Sequence, residues 1–227
     1  MTERTEDAQA QALRAFLLLC ALAPEWQGSL ILVRGLDPSG RAASIASMIA
    51  GAACLAIDAH PEVCRAALRA GACDFMVNSV DEALRVLKNE IRKRRPVGVA
   101  LCMPEDAALA ELADRGVVPQ VFLSGAAGDS GLPAARFSSF GTRVLSPPDA
   151  ERVADEYIHT HGLELRELQF SSPQELSAFD QRLSSTVSKA EPRLRWAAGA
   201  SKFFYRDRPI RRIAAMTEAE WTALTPR

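Results

Sequence analysis

The stretch from Leu30 to Asp58 constrains this chain more than any other. It opens with an unbroken apolar run, Leu30-Ile31-Leu32-Val33, followed by Arg34 and the turn Gly35-Leu36-Asp37-Pro38-Ser39-Gly40. A small-residue helix is predicted from about Arg41 to Gly51, then a second apolar run, Ala53-Cys54-Leu55-Ala56-Ile57, ending in Asp58. A strand, a glycine turn, a helix and a strand closed by an acid form the order of a mononucleotide-binding βαβ unit. Such turns carry G-x-G-x-x-G, and here the middle glycine is replaced by Asp37.

That middle glycine normally lets the backbone approach a pyrophosphate, which rests on the free N–H groups of the following helix. A carboxylate in its place repels each phosphate charge by about 1 kcal/mol in water-like surroundings and about 4 kcal/mol at a partly buried site. Pro38 removes one further N–H donor. The same two residues also have a purely structural reading, Asp37 as helix N-cap and Pro38 at the first helical position. Three readings follow: a capped helix with lost or altered dinucleotide binding, a retained site in which Arg41 offsets the charge, or a site for some other small anion. The candidate cofactor-binding residues are Gly35, Asp37, Ser39, Gly40, Arg41 and Asp58, with NAD as the cofactor they admit.

Charge and cysteine usage narrow the setting. With a net charge of −1 there is no global field to recruit nucleic acid or a membrane. The five cysteines are odd in number and contain no C-x-x-C pair, and Cys54 and Cys102 lie in apolar strand-like runs. They read as reduced thiols of a cytoplasmic protein. The apolar run Ala15 to Ala23 ahead of Pro24 has the outline of an export signal, but Glu3, Glu6 and Asp7 make its leading side acidic, and it is too short to span a bilayer. A core helix stopped by Pro24 is expected instead.

From Leu30 to about Leu145 apolar strand-like runs alternate with helical stretches. Helices are predicted over Pro61–Ala70, from the capping box Ser79-Val80-Asp81-Glu82 to Arg94, and over Pro104–Arg115. Strands are predicted at Phe75–Val77, Pro96–Cys102, Pro119–Leu123 and Thr142–Leu145, with a loop over Ser124–Ser139 and a helix from Ser146-Pro147 to about Thr160. This pattern predicts an α/β fold, a Rossmann-like parallel sheet with helices on both faces. Beyond Gly162 the style changes to a small C-terminal α+β appendage. It comprises an alternating strand at Leu163–Phe170, a capped helix from Ser172 to about Lys189, a hairpin pairing Leu194–Trp196 and Lys202–Arg206 with Ile210–Ile213, and a short helix capped by Thr217. The expected division is residues 1–162 and 163–227.

These residues resemble a known family. Leu30 to about Val121 is similar, without gaps, to the NAD-binding domain of urocanase (urocanate hydratase): Gly35-Leu36, Gly40, Ala42, Ala46, Ala50-Gly51 and Cys54-Leu55-Ala56-Ile57-Asp58 fall on the family's pattern. Pro61-Glu62, Leu68-Arg69, Gly71, Asp81-Glu82-Ala83-Leu84, Glu111-Leu112 and Arg115-Gly116-Val117-Val118-Pro119 continue it. The resemblance implies a Rossmann-like sheet in which Gly35 and Gly40 form the pyrophosphate turn and Asp58 lies near a ribose. The departures fall on functional positions. The family's G-G-M-G-G is Asp37-Pro38-Ser39-Gly40-Arg41 here, its Gly-Asn pair is Met103-Pro104, and its T-D-Q-T-S-A-H-D is Leu123-Ser124-Gly125-Ala126-Ala127-Gly128-Asp129-Ser130. The acid, amide and imidazole of that last motif are gone. Scaffold kept and chemistry lost is the pattern of a pseudoenzyme, so no catalytic set is assigned.

Three other constellations carry weaker readings. His159-Thr160-His161 lies where a helix should end, so it reads as a C-terminal cap and no metal site is expected. His60 follows Asp58 near the expected crevice and, with Asp129, is the acid–base candidate of an alternative NAD-dependent lyase-like enzyme. Between Lys189 and Arg212, Lys189, Arg193, Arg195, Lys202, Arg206, Arg208, Arg211 and Arg212 interleave with Trp196, Phe203, Phe204 and Tyr205. That composition fits a solvated structure, a protein or homo-oligomer interface, or, ranked lowest, a nucleic-acid or polyanion site. The partner expected first is a nucleotide-like small molecule at the glycine turn.

Overall fold

The computed structural model describes residues 7–124, 132–189 and 191–225. Six parallel strands form the central sheet: β1 (Leu30–Arg34), β2 (Ala53–Asp58), β3 (Phe75–Val77), β4 (Val97–Cys102), β5 (Val121–Leu123) and β6 (Arg143–Leu145). Their order across the sheet is β3-β4-β2-β1-β5-β6. Strands run outward from β1 in both directions, so the chain reverses its winding between β1 and β5, and the carboxyl ends there diverge into a crevice.

Side chains of β1 alternate between two cores, which is why the strand is apolar throughout. Ile31 and Val33 enter one core with α1 (Ala8–Leu22), α2 (Pro38–Ala50), α3 (Pro61–Arg69) and α7 (Pro147–Thr160). Leu30 and Leu32 enter the other with α4 (Val80–Arg92), α5 (Glu105–Asp114) and α6 (Leu132–Ser139). The helix α6 departs from the expected loop over Ser124–Ser139: Ala134 and Phe137 are buried, and Phe137 meets Phe122 edge-on at 5.6 Å. Serine and glycine composition hid a short apolar stripe that the sheet selects. Residues 125–131 of that expected loop, Asp129 among them, lie outside the described residues.

The short second sheet pairs β7 (Glu164–Gln169) antiparallel with β8 (Arg211–Met216), and the hairpin expected around Asp207-Arg208-Pro209 does not form. Its first arm is part of a helix, α9 (Leu194–Phe204), between α8 (Pro173–Thr186) and β8; α10 (Glu218–Leu224) follows β8. The reason is spacing: Trp196, Ala197, Ala200 and Phe204 bury one helical stripe that overrides the strand preference of the aromatics. Ile213 and Ala215 on one face of β8 join the core that holds α1, and Ala214 and Met216 on the other pack with Phe179, Leu183 and Leu224.

The C-terminal elements therefore cover α1 from outside while α2 and α7 flank it. This explains the apolar run Phe16-Leu17-Leu18-Leu19, all of it buried. The latch is Gln9, fully buried, whose Oε1 accepts the Ile213 N–H at 2.6 Å and whose Nε2 donates to Asp207 at 3.0 Å. Beside it Arg212, 0% exposed, donates to both carboxylate oxygens of Asp180 at 2.9 and 2.8 Å and to Ser201 at 2.8 Å.

Candidate functional site

The β1–α2 turn is built by hydrogen bonds that leave little choice of residue. Gly35 has φ +83°, a left-handed conformation that a side chain would strain, and its N–H donates to Ile57 O at 2.7 Å. A Cβ on Gly40 would fall well inside 3.0 Å of the Gly35 carbonyl oxygen and 2.9 Å from its carbon, so only glycine lets α2 start this close to β1. The first and third glycines of the motif thus serve the backbone. Asp37 has φ −58°, open to any residue. Its Oδ1 accepts the Gly40 N–H at 2.7 Å, and Pro38 follows at the first helical position, the structural reading of both residues.

Asp58, 6% exposed, is turned toward this turn. Its Oδ2 accepts the Leu36 N–H at 2.9 Å, and its Oδ1 accepts the His60 N–H at 2.9 Å and meets His60 Nδ1 at 3.1 Å. The carboxylate braces β2 against the glycine turn. His60 thereby has the partner that sequence did not reveal, and its own side chain stays exposed.

A cleft of about 350 Å³ opens beside the turn, over the carboxyl ends of β1, β5 and β6. Open α/β sheets hold ligands at such a reversal of strand order. Asp37, Ser39 and Gly40 line it; Gly35 lies behind, and neither Arg41 nor Asp58 is in its wall. Sequence reasoning missed the rest: Arg14 of α1, Arg34 at the tip of β1, and Glu151 and Asp155 of α7. Of these only Arg34, adjoining the glycine turn, had a local signal. Its buried guanidinium is held by Glu105 at 2.8 Å and Asp106 at 3.0 Å, and Arg14 pairs with Asp155 at 2.5 Å. The floor is apolar, with Leu18, Val33, Ala42, Ala43 and Leu123; the alanines of α2 make the room.

The remaining constellations are mostly occupied structurally. Burial pushes the thiols of Cys20, Cys64 and Cys73 up to about 12 and that of Cys54 to about 11, so they are protonated at neutral pH. His161 donates from Nδ1 to Tyr157 O at 2.9 Å and stacks on the Tyr157 ring, a helix C-cap arrangement. Among the described residues no group of three or more His, Cys, Asp or Glu is placed to hold a metal ion, and no helix is long and apolar enough to cross a membrane. In the basic segment, Arg193 pairs with Glu220, Arg195 donates to Pro24 O, Arg211 pairs with Asp7, and Arg212 is buried against Asp180. Lys202 and Arg206 lie over the rings of Phe203 and Tyr205.

Sheet order, glycine turn and cleft together define a Rossmann-type α/β protein with a crevice over the carboxyl ends of β1 and β5. Residues 15–126 match the family model of the urocanase Rossmann-like domain. The match begins midway along α1. Among solved structures the chain is similar to a short chain alcohol dehydrogenase from E. coli CFT073 complexed with NADH, at 10% identity and a TM-score of 0.36. That similarity covers 95% of this chain and 61% of the dehydrogenase, so the chain spans less than two thirds of that protein.

Proposed function

We propose that this protein is a urocanase-related binding protein without hydratase activity, which holds a small ligand where Rossmann folds hold a nucleotide. The observation that carries the reading is the capped turn: Asp37 takes the Gly40 N–H and sets a carboxylate where a pyrophosphate would rest. The cleft volume, at the small end for ligand sites, suits a nucleoside-sized molecule rather than an extended dinucleotide. Asp37, Ser39 and Gly40 shape its near wall.

A second reading, an NAD-dependent lyase-like enzyme, has one observation in its favour. Asp58 holds Nδ1 of His60, which leaves Nε2 open to solvent for proton transfer. Both readings are tested by purifying the protein without added cofactor, denaturing it and identifying any released compound by mass spectrometry, alongside an assay of urocanate consumption with and without NAD. The binding reading expects a released compound that is not a dinucleotide, and no turnover. Stoichiometric NAD or turnover of urocanate would overturn it in favour of the enzyme.

A further inference from the structure

The central sheet ends differently at its two edges. At one edge β6 presents the exposed Arg143, a charge that discourages pairing with a further strand. At the other, β3 is Phe75-Met76-Val77, with no charged residue or proline to blunt it. The Asp74 N–H donates inward to Gly98 O at 2.7 Å, so by strand alternation Phe75 and Val77 turn their N–H and C=O groups outward, where no strand follows among the described residues. The Asp74 side chain is also tied inward, its Oδ2 accepting the Gly98 N–H at 2.9 Å. Helix cover at this edge is uneven. Met76 packs into the core that holds α3, and Val77 into the core that holds α4. Phe75 stands on the same face as Val77, but α4 lies over β4 and β2, and Phe75 is left 48% exposed. A groove runs between its ring and the outer flank of α4 at Val86 and Asn89.

The helix beside the groove indicates the partner. At its start α4 carries Asp81 and Glu82, with Glu111 and Arg115 beside them, a negative balance. At its end Glu90 is outnumbered by Lys88, Arg92 and Lys93, and Arg94 and Arg95 follow, a positive balance. A flank acidic at one end and basic at the other matches itself when a second copy runs antiparallel. We infer that β3 is the edge through which this protein dimerises: two copies pair β3 antiparallel about a two-fold axis that passes through Met76 normal to the sheet. Phe75 of each copy then lies opposite Val77 of the other, and the two exchange both N–H···O bonds. On the α4 face each Phe75 ring enters the groove of the other copy, and the acidic start of α4 faces the basic end of its counterpart. Asp74 falls opposite Asn78, so no like charges meet along the strand. Such an isologous contact is closed and leaves neither copy with a free β3 edge. The strand is three residues long, so the contact is small and the association depends on concentration.

Sedimentation equilibrium of the full chain, from low micromolar to submillimolar concentration, tests this. The expected result is a monomer–dimer equilibrium, weakened at least tenfold by Phe75→Lys, which sets a charge on the strand edge, and at least threefold by Lys88→Glu, with added salt weakening the parent in the same sense. Met76→Cys, treated with oxidised glutathione, should run as a covalent dimer on a non-reducing gel, because the two-fold axis brings position 76 against itself within disulfide reach. Asn78→Cys should not, since it faces Asp74 of the other copy. A monomer at every concentration overturns the inference and leaves the edge to a strand of another protein. A dimer indifferent to Phe75→Lys overturns it equally, by placing the contact elsewhere. A dimer unchanged or strengthened in Lys88→Glu overturns the antiparallel order of α4. If Phe75→Lys fails to fold, the Met76→Cys gel decides alone: a covalent dimer supports the pairing, and its absence overturns it.

Discussion

Substituting the three motif positions one at a time should separate backbone roles from ligand roles. In Gly40→Ala the new methyl must clear the Gly35 carbonyl, and the obstacle is backbone, which cannot rotate aside. Either α2 retreats from β1 by most of an ångström or the turn reopens, and overpacking of this kind costs about 3 kcal/mol. In Gly35→Ala there is open space for the methyl but φ is +83°, so the cost is conformational and about 1–2 kcal/mol. In Asp37→Gly the helix loses a side-chain cap but glycine is itself tolerated there, for a few tenths of a kcal/mol. Urea unfolding followed by circular dichroism reads the order directly as midpoints, with Gly40→Ala lowest and Asp37→Gly within error of the parent. If Asp37→Gly cost as much as Gly40→Ala, or if Gly40→Ala were neutral, the division of roles within the turn would be wrong.

Arg212→Met should destabilise the protein by about 3–5 kcal/mol because it strands Asp180 in the core, and Arg212→Met with Asp180→Leu should recover much of the loss; unfolding midpoints of the two variants check this. Glu220 is half-enclosed, which opposes its ionisation, but Arg193 and the Thr217 cap outweigh that and hold its carboxyl below the ordinary value of 4.5. Its folded value being depressed, its contribution is complete above that value and is lost as pH falls through the folded one. Glu220→Gln, which keeps the capping box, should therefore flatten the acid limb of a stability profile taken from pH 6 down to pH 3. At pH 8 iodoacetamide should leave Cys20, Cys54, Cys64 and Cys73 unmodified in the native protein and label all five cysteines after denaturation, as read by mass.

What was legible in the sequence was local. The β1–α2–β2 unit could be read because its strand, turn and helix signals sit within thirty residues and because Gly35 and Gly40 answer to backbone geometry alone. What was missed depends on distant partners. Phe203 and Phe204 favour a strand by type, and only the burial of Trp196 and Ala200 on the same stripe makes them helical. The cleft shows the same division: Asp37 and Ser39 lie in the motif, whereas Glu151 and Asp155 come from a helix that follows the whole sheet in sequence and Arg14 from the helix ahead of it. No spacing rule joins them.

The Gln9 latch also sets an order of events during synthesis. Its partner Ile213 lies 204 residues downstream, so at about 5–20 residues per second the first helix waits for about 10–40 s on the ribosome before the strand that covers it exists. During that interval the sheet can assemble, but Phe16 and its neighbours have only half their final surroundings. The newborn chain therefore passes through a stage with an uncovered greasy helix near its beginning, the kind of segment that chaperones hold. Release from that stage comes with the synthesis of β8, so a message truncated before β8 yields a protein that has its glycine turn and still cannot close.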